Sequence, residues 1–261
     1  MVKKLLIAQS LLPVNTILSV TSKHDLYHFI HHNLPLILFL DEYKMKNEFN
    51  HRTVSIQIDG VILKGNLVVP QNPIGLVIFS HGSGSSRLSP RNNYVAEVLQ
   101  KNHLATLLFD LLTEDEDNIY ENRFNIDLLT LRLIDVTQWA QQLKETKNLP
   151  IGYFGASTGA ASALNAASFY GDDIKTVISR GGRPDLALKD LHKVTAPTLL
   201  IVGGWDDVVI ELNEKAYQKL QCERKLEIIP NATHLFEEPG KLEQVARISA
   251  SWFAKHMMNK K

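Results

Sequence analysis

Short apolar runs alternate with longer amphipathic segments along most of this chain. In the amphipathic segments the apolar residues recur at the spacing of helical turns, whereas the short runs are almost continuously apolar. Nearly continuous apolar strands that alternate with helices are typical of a parallel sheet covered on both faces. The short runs predict strands at 75–80, 105–109, 151–154, 174–179, 198–202 and 226–229. The amphipathic segments predict helices near 92–102, 125–145, 158–169, 211–220 and 240–257.

Two further strands precede this alternating region. Residues 54–58 and 61–69 show strand patterns, and Asp59-Gly60 between them favours the positive φ angles of a tight hairpin turn. With this hairpin the pattern predicts about eight strands, in a mostly parallel sheet entered through an antiparallel hairpin. No repeat, low-complexity segment or domain boundary interrupts the sequence after residue 53, so residues 51–261 are expected to form one α/β domain.

Residues 1–50 show no clear periodicity and are interpreted as an N-terminal extension of unknown structure. Lys3-Lys4 followed by an apolar run at 5–8 resembles the start of a signal peptide. However, Gln9 and Ser10 interrupt the run, and no small-residue cleavage site follows cleanly. The apolar stretch at 34–40 is far shorter than the ~20 residues that span a bilayer. We therefore expect neither a signal peptide nor a membrane span.

Four histidines in this extension lie at helical spacing. No cysteine or paired carboxylates complete a metal site around them, so we interpret them as solvated surface side chains and predict no metal. They are His24, His28, His31 and His32.

Charge and cysteine content narrow the classes of partner. The chain has 261 residues, of which 44% are apolar and 21% charged, and its 28 Lys and Arg balance its 28 Asp and Glu. A balanced chain gives no reason to expect nucleic acid or an anionic membrane as a partner. Cys222 is the single cysteine, so no intrachain disulfide can form, and a cytoplasmic location is expected. The sequence predicts no oligomeric state.

Residues 155–159 read Gly-Ala-Ser-Thr-Gly, a G-x-S-x-G match that is weak evidence by itself. Its position strengthens it, because a predicted strand ends at residue 154 and an Ala- and Ser-rich helix begins at Thr158. Ser157 therefore falls on a strand-to-helix turn, where a strained backbone exposes the hydroxyl group. Gly155 and Gly159 allow strand and helix to approach closely. The pattern predicts Ser157 as a nucleophile, and a serine that only caps the helix remains the alternative.

A serine nucleophile needs a general base and a carboxylate that orients the base. Candidates for both follow later strands, at the edge of a parallel sheet where such groups gather. His234 follows the strand at 226–229 and is the predicted base, with a histidine that caps the next helix as the alternative. Asp206 and Asp207 follow the strand at 198–202. We favour Asp206 as the acid and interpret Asp207 as a capping or solvent-facing residue.

The oxyanion hole of such a site uses two backbone N–H groups. One belongs to the residue after the nucleophile, Thr158, and the second to the loop after the strand at 75–80, for which Ser83 is the candidate. His81 in the same loop is interpreted as a residue that shapes the loop. The loop lacks the G-K-[ST] of a phosphate-binding loop and the spacing of a dinucleotide fingerprint, so no cofactor is predicted.

Four arginines lie in loops at or near the predicted catalytic edge, namely Arg87, Arg91, Arg180 and Arg183. Because Arg grips carboxylate or phosphate in a fork, one or more of them are candidates to anchor an anionic substrate. The alternative is that they brace loops by hydrogen bonds to backbone carbonyls. The connection from Asp185 to the strand at 198–202 is too short for a large lid domain, which favours an open site and a small substrate.

Several longer motifs together characterise residues 53–257. They are SHGSGSSR at 80–87, SPRNNY at 89–94, FDLLT at 109–113, YFGASTG at 153–159, SRGGRPD at 179–185, LIVGG at 200–204 and ATHLFEEPG at 232–240. In these motifs the chain resembles the α/β-hydrolases of the dienelactone-hydrolase-like family. The similarity is strongest to a bacterial group that often accompanies phosphoribosyltransferase domains. Residues 1–50 lie outside the resemblance.

The resemblance implies an α/β-hydrolase fold, an about eight-stranded mostly parallel sheet with helices on both faces and no large cap domain. In the family pattern the acid is the Asp of a Gly-x-x-Asp, which here corresponds to Gly203 and Asp206. True dienelactone hydrolases use a cysteine nucleophile, whereas this chain has Ser157 at that place. Ester hydrolysis is therefore the expected activity, rather than hydrolysis of dienelactones.

The sequence thus predicts a carboxylesterase-like serine hydrolase that cleaves a small ester through a Ser-His-Asp acyl-enzyme mechanism. A thioesterase or lactonase with the same three residues is an alternative, because the same groups serve all acyl transfers. A non-catalytic binding member of the fold is a second alternative. The complete Ser, Asp and His set argues against it, since such proteins usually lose at least one of the three.

Overall fold

The computed structural model describes residues 49–58 and 60–258. The predicted extension over residues 1–50 falls almost entirely outside this range, as do its four histidines and Asp59. In the described residues, no helix is both long enough and apolar enough to cross a membrane.

The described strands form one sheet in the order β1-β2-β4-β3-β5-β6-β7-β8. The β2 strand pairs with β4 in antiparallel fashion, with Gly65 opposite Phe109, and every pairing from β4 to β8 is parallel. The strands are β1 (Phe49–Ile58), β2 (Val61–Pro70), β3 (Gly75–Ser80), β4 (Leu104–Phe109), β5 (Ile151–Ala156), β6 (Ile174–Arg180), β7 (Thr198–Gly203) and β8 (Arg224–Ile229). The predicted eight-stranded, mostly parallel sheet is confirmed.

Helices cover both faces of the sheet because each central strand has apolar side chains on both sides. One buried cluster joins Leu133, Leu164 and Ala216 from three helices to one face, and a second joins Leu99 and Phe253 to the other. The helices are α1 (Pro90–Lys101), α2 (Glu114–Asp117), α3 (Ile126–Gln142), α4 (Thr158–Tyr170), α5 (Asp207–Lys219) and α6 (Lys241–Met258).

The α2 helix is absent from the sequence prediction. Its residues Glu114 to Asp117 are all acidic and none is buried, so they produce no hydrophobic periodicity. A capping box forms it instead: Thr113 Oγ1 accepts the Glu116 N–H, and the Glu116 carboxylate accepts the Thr113 N–H. The α5 helix begins at Asp207, earlier than the predicted residue 211, because Val208 in its first turn is exposed and hides the helical pattern.

Strand order determines where a site can form. The chain turns one way from β3 to β4 and the other way from β5 onward, so the loops after β3 and β5 leave neighbouring strands at the same edge. In the described part of the chain, the connections at this edge contain α2 and short 3₁₀ turns but no large cap domain. Among the described residues, none of these connections forms a cap above the ends of β3 and β5.

Candidate active site

Ser157 occupies a sharp turn between β5 and α4. Its backbone has φ 51° and ψ −123°, a conformation that non-glycine residues rarely adopt. The Ser157 side chain makes no capping hydrogen bond to α4, although Ser157 stands at the N-cap position. The helix-cap alternative therefore does not describe this serine, and the strain is of the kind that accumulates at functional sites.

Two glycines allow this turn to form. A Cβ atom at Gly155 would lie 2.5 Å from the Ala160 Cα atom, and one at Gly159 would lie 2.2 Å from the Ser80 carbonyl oxygen. Both distances are far below van der Waals contact with backbone that cannot move aside. The G-x-S-x-G spacing is thus required by the packing of β5, α4 and the end of β3.

The segment 180–183 holds the backbone of Ser157 on both sides. The Ser157 N–H donates to the Arg180 carbonyl oxygen at 3.2 Å, and the Arg183 N–H donates to the Ser157 carbonyl oxygen at 3.0 Å. The imidazole of His234 borders the same segment, since a Cβ atom at Gly181 would lie 3.5 Å from Nδ1 of His234. Ser157 and His234 therefore both contact one short loop.

Asp206 and His234 are in hydrogen-bond contact at this edge. Nδ1 of His234 lies 2.6 Å from Oδ2 of Asp206, and the two side chains are 37% and 17% exposed, in that order. Asp206 makes no capping bond to α5. Asp207 is exposed in the first turn of α5, where its charge is favourable to the helix dipole. Of the two adjacent carboxylates, that of Asp206 contacts the imidazole of His234.

Backbone contacts fix the two loops that carry this pair. The Trp205 N–H donates to the Ala232 carbonyl oxygen at 2.9 Å. A Cβ atom at Gly203 would lie 2.4 Å from that same oxygen. Both carboxylate oxygens of Glu238 accept the Thr233 N–H at 3.1 Å. The loops after β7 and β8 are therefore joined next to the imidazole.

The predicted oxyanion donors lie beside the nucleophile turn. A Cβ atom at Gly82 would lie 3.6 Å from Ser157 Oγ, so the loop after β3 borders the hydroxyl directly. Thr158 is the first residue of α4, and an N–H at this position has no acceptor within its own helix. The Ser83 N–H donates to Thr158 Oγ1 at 2.9 Å. A substrate oxygen would have to share or replace that acceptor.

His81 fixes the loop that carries Ser83. The side chain is buried, its Nδ1 lies 2.9 Å from the Gly82 carbonyl oxygen, and its Nε2 accepts the Leu111 N–H at 3.1 Å. These partners assign the proton to Nδ1. Burial lowers the pKa of His81, so the ring stays neutral at neutral pH. The predicted loop-shaping function agrees with these contacts.

The predicted arginines differ in their partners. Arg87 pairs with Asp110 through its backbone N–H and its guanidinium, and Arg183 makes two 2.9 Å contacts to Asp185. Both therefore brace loops, with carboxylates rather than the expected backbone carbonyls as partners. Arg180 is buried, and its Nη2 donates to Asn92 Oδ1 at 3.0 Å.

Sequence reasoning missed several polar residues at this edge. Asp110, which follows β4 directly, holds Arg87, and its position after a strand was the available signal. Asp117 and Arg123 form a two-bond ion pair beside a cleft of about 190 Å³ that is open to solvent. The cleft is also lined by the loop from His81 to Gly84. In the described residues, no three His, Cys, Asp or Glu side chains are grouped to hold a metal ion.

Comparison with known proteins agrees with this architecture. The family model of the dienelactone hydrolase family matches residues 96–257. The crystal structure of a dienelactone hydrolase from Anabaena variabilis superposes with a TM-score of 0.78 at 52% identity, covering 80% of this chain and 99% of that one. Est1E from Butyrivibrio proteoclasticus shares the fold, with a TM-score of 0.70 at 20% identity over 79% of this chain and 99% of its own.

A relative in Mycobacterium tuberculosis bears the name of a putative phosphoribosyl transferase. It is 54% identical over 204 residues, which make up 78% of this chain and 46% of the relative. The chain thus spans about half the length of the curated relatives it matches. The family model covers five of the eight strands, β4 to β8, and extends from within α1 to within α6. The chain belongs to the dienelactone hydrolase family.

Proposed function

We propose that this protein is a serine esterase in which Ser157, His234 and Asp206 act together on a small ester. Membership of the family supports a hydrolase, and the ester as the bond cleaved is our inference. The observation that carries the proposal is the 2.6 Å contact between Asp206 and His234, on loops that border a strained serine. Helix capping does not explain the strained backbone of Ser157, because its side chain makes no capping hydrogen bond. A turn that exposes a nucleophile has a strained backbone of this kind.

The proposed reaction begins when Ser157 Oγ attacks the ester carbonyl carbon. Nε2 of His234 takes the hydroxyl proton and later gives it to the leaving alcohol. The Asp206 carboxylate accepts a hydrogen bond from Nδ1–H of His234, which fixes the tautomer and stabilises the imidazolium. Water then hydrolyses the acyl-enzyme by the same proton transfers in reverse order, which restores the Ser157 hydroxyl.

The backbone N–H groups of Thr158 and Ser83 are the proposed donors to the oxyanion. When the carbonyl oxygen gains charge, it becomes a stronger acceptor than the neutral Thr158 hydroxyl that the Ser83 N–H meets in the free protein. The Ser83 N–H can therefore exchange its hydrogen bond to Thr158 Oγ1 for one to the substrate oxygen as the tetrahedral intermediate forms.

A small substrate fits the open edge. A narrow cleft that opens to solvent lies beside the oxyanion loop. The absence of a large cap in the described residues supports a small substrate.

We propose the cytoplasm as the location because Cys222, the single cysteine, allows no intrachain disulfide.

Phosphoribosyl transfer is not part of the proposed function. More than half of the Mycobacterium tuberculosis relative lies outside the matched region, and the matched residues have the hydrolase fold. Thioesters and lactones remain candidate substrates for the same three residues.

Labelling with a fluorophosphonate probe tests the proposal directly. We expect the wild-type protein to be labelled and the Ser157→Ala variant to lose labelling, with ester turnover lower by on the order of 10⁴-fold or more. The control Ser251→Ala removes an exposed hydroxyl on α6 and should label normally. Undiminished labelling of Ser157→Ala, or an unlabelled wild-type protein that turns over no ester, thioester or lactone, contradicts the proposal.

A further inference from the structure

Arg180 is a buried cation without a carboxylate partner in the described residues. The residue is 5% exposed, and burial together with the charge of Arg91 lowers its pKa to about 10. Its Nη2 donates to the neutral amide oxygen of Asn92, and Cζ lies 6.0 Å from the centre of the Phe236 ring. Its Nε is buried and has no hydrogen-bond partner in the described residues. Burying a guanidinium without an anion is costly, so buried arginines are normally paired.

A second arginine lies close to it. Arg91 stands in the first turn of α1, and its Nη1 contacts Oε1 of Glu237 at 2.8 Å. Its Nε is also buried without a hydrogen-bond partner. Because the charge of Arg91 lowers the pKa of Arg180, the two guanidinium groups repel each other in the structure as it stands.

The first turn of α1 adds to this positive region. The helix is capped by Ser89, whose hydroxyl accepts the Asn92 N–H at 3.3 Å, and helix N-termini attract anions. Arg180 donates to Asn92 in this same turn. The Arg180 guanidinium thus reaches the first turn of the helix that carries Arg91, and no described carboxylate pairs with it there.

The region adjoins the proposed catalytic residues. The Arg180 carbonyl oxygen accepts the Ser157 N–H, and Phe236, which packs against the guanidinium, follows His234 by two residues along the chain. By contrast, Arg87 and Arg183 at the same edge are each neutralised by an aspartate. Because Arg91 pairs with Glu237, Arg180 is the one of these four arginines that has no carboxylate partner among the described residues.

We propose that Arg180 and Arg91 bind an anionic group of the substrate, a carboxylate or a phosphate, next to the ester that Ser157 attacks. This inference rests on the proposed esterase function and names the class of ester. The anion would accept from both guanidinium groups and replace Glu237 as the partner of Arg91. The exchange is feasible because Glu237 is 61% exposed, and exposed ion pairs contribute little to stability.

The test compares matched esters that differ in charge. Hydrolysis is measured for a neutral p-nitrophenyl butyrate, a p-nitrophenyl hemisuccinate with a terminal carboxylate, and an acyl ester whose alcohol carries a phosphate group. We expect the wild-type protein to show a higher kcat/KM for one or both anionic esters than for the neutral one. The ester that is preferred distinguishes carboxylate from phosphate as the natural anion.

Variants of the two arginines locate the preference. Arg91→Met should lower the ratio of anionic to neutral kcat/KM by about tenfold, as expected for the loss of a charged hydrogen bond. Arg180→Lys should also lower this ratio. Arg52→Met is the charge-matched control. Arg52 lies on β1 and pairs with Glu145, so this variant should leave the ratio unchanged. Equal losses on neutral and anionic esters in both arginine variants would mean that the arginines only brace the loops, and the proposal would be wrong.

A binding experiment separates this inference from the esterase proposal. In the Ser157→Ala protein, we expect inorganic phosphate or succinate to raise Tm, and Arg91→Met in that background to remove the shift. Such a shift in a chain whose wild-type form hydrolyses no ester would sustain the anion site and contradict the esterase. Ester hydrolysis without a charge preference, and without a Tm shift, would sustain the esterase and overturn the anion site.

Discussion

Ser157 and His234, the proposed nucleophile and base, reach the candidate catalytic edge from two regions that are built differently. The nucleophile region, comprising the end of β3, β5 and the start of α4, is almost entirely buried, and glycines bring its backbones together. The acid–base region comprises the loops after β7 and β8. There Trp205 is 60% exposed, and individual hydrogen bonds, together with one close backbone approach at Gly203, hold the loops together. Packing thus dominates around Ser157, whereas hydrogen bonds contribute more around His234.

The difference follows from what each group must do. Ser157 is held in a costly backbone conformation, which persists only where the surrounding structure over-determines it. The imidazole has to be oriented by its Nδ1 partner while it exchanges protons at Nε2. We therefore expect substitutions in the nucleophile region to act on folding as well as catalysis, and those in the acid–base region to act mainly on catalysis.

Gly159→Ala should produce the largest effect. The new Cβ atom would lie 2.2 Å and 2.5 Å from the carbonyl oxygens of Ser80 and His81. Both belong to the backbone at the end of β3, so relief requires α4 or β3 to move. We expect the free energy of unfolding to fall by about 4 kcal/mol or more, or the variant to be insoluble, with esterase activity lost.

The control for this prediction is Gly60→Ala in the hairpin turn. Gly60 has a positive φ, but a Cβ atom there would meet no atom within 4 Å, so the expected cost is about 1 kcal/mol. Urea unfolding of both variants measures the difference. A Gly159→Ala protein as stable as Gly60→Ala would mean that packing does not position the nucleophile.

Asp206→Asn should be next in size and should affect catalysis alone. The amide cannot stabilise the imidazolium and favours the wrong tautomer of His234, so we expect kcat to fall by about 10³- to 10⁴-fold. Asp207→Asn, which changes the adjacent exposed residue, is the matched control and should stay within about threefold of wild type. Steady-state kinetics and thermal melts on both proteins check this. A comparable loss of kcat in Asp207→Asn would contradict the choice of Asp206 as the acid.

Sequence patterns predicted the sheet well because apolar periodicity reports burial directly. The eight strands and five of the helices match their predicted positions to within a few residues. The acidic α2 helix buries nothing and was missed for that reason. Candidate residues after strands could be nominated because parallel strands bring their carboxyl ends to one edge. Their side-chain partners could not be predicted, because they depend on contacts between distant segments.

The arginines illustrate this limit. Sequence alone treated Arg87, Arg91, Arg180 and Arg183 as equivalent candidates, since all were expected in loops at or near the catalytic edge. The structure separates them by their partners. Asp110 neutralises Arg87, whereas Arg180 donates to the amide oxygen of Asn92 and lies over the ring of Phe236. Neither contact has a signature in composition or spacing.

His81, which directly follows β3, allows a pH-dependent test of the nucleophile region. Burial lowers the pKa of His81 below its ordinary value of 6.5, despite opposing effects from the Gly82 carbonyl and from Asp110 and Asp117. Because the unfolded chain then binds more protons than the folded one, this neutral histidine stabilises the fold above about pH 6.5. The stabilisation is lost as pH falls through the lower pKa of the folded state.

In the His81→Gln variant this pH dependence should be absent. We expect the free energy of unfolding to decrease less between about pH 7.5 and about pH 5 than in wild type. At neutral pH the variant should lose about 1–3 kcal/mol, because the Leu111 N–H or the Gly82 carbonyl loses its buried partner. Denaturant titrations at both pH values give the comparison. A variant with the same slope as wild type would remove His81 as the cause of acid sensitivity.

Glu238 tests the acid–base region with the smallest expected effect. Its two carboxylate oxygens accept the Thr233 N–H next to His234, and this hydrogen bond lowers the pKa of Glu238. The carboxylate therefore holds the loop above about pH 4.5 and releases it as pH falls through the lowered pKa.

In Glu238→Ala we expect kcat to fall about threefold while the free energy of unfolding stays near that of wild type. The Thr233 amide should exchange its proton faster. Glu243→Ala, an exposed change in the first turn of α6, is the control. If Glu238→Ala instead lowered stability as strongly as a buried substitution, the acid–base loops would also be held by packing, and the contrast with the nucleophile region would fail.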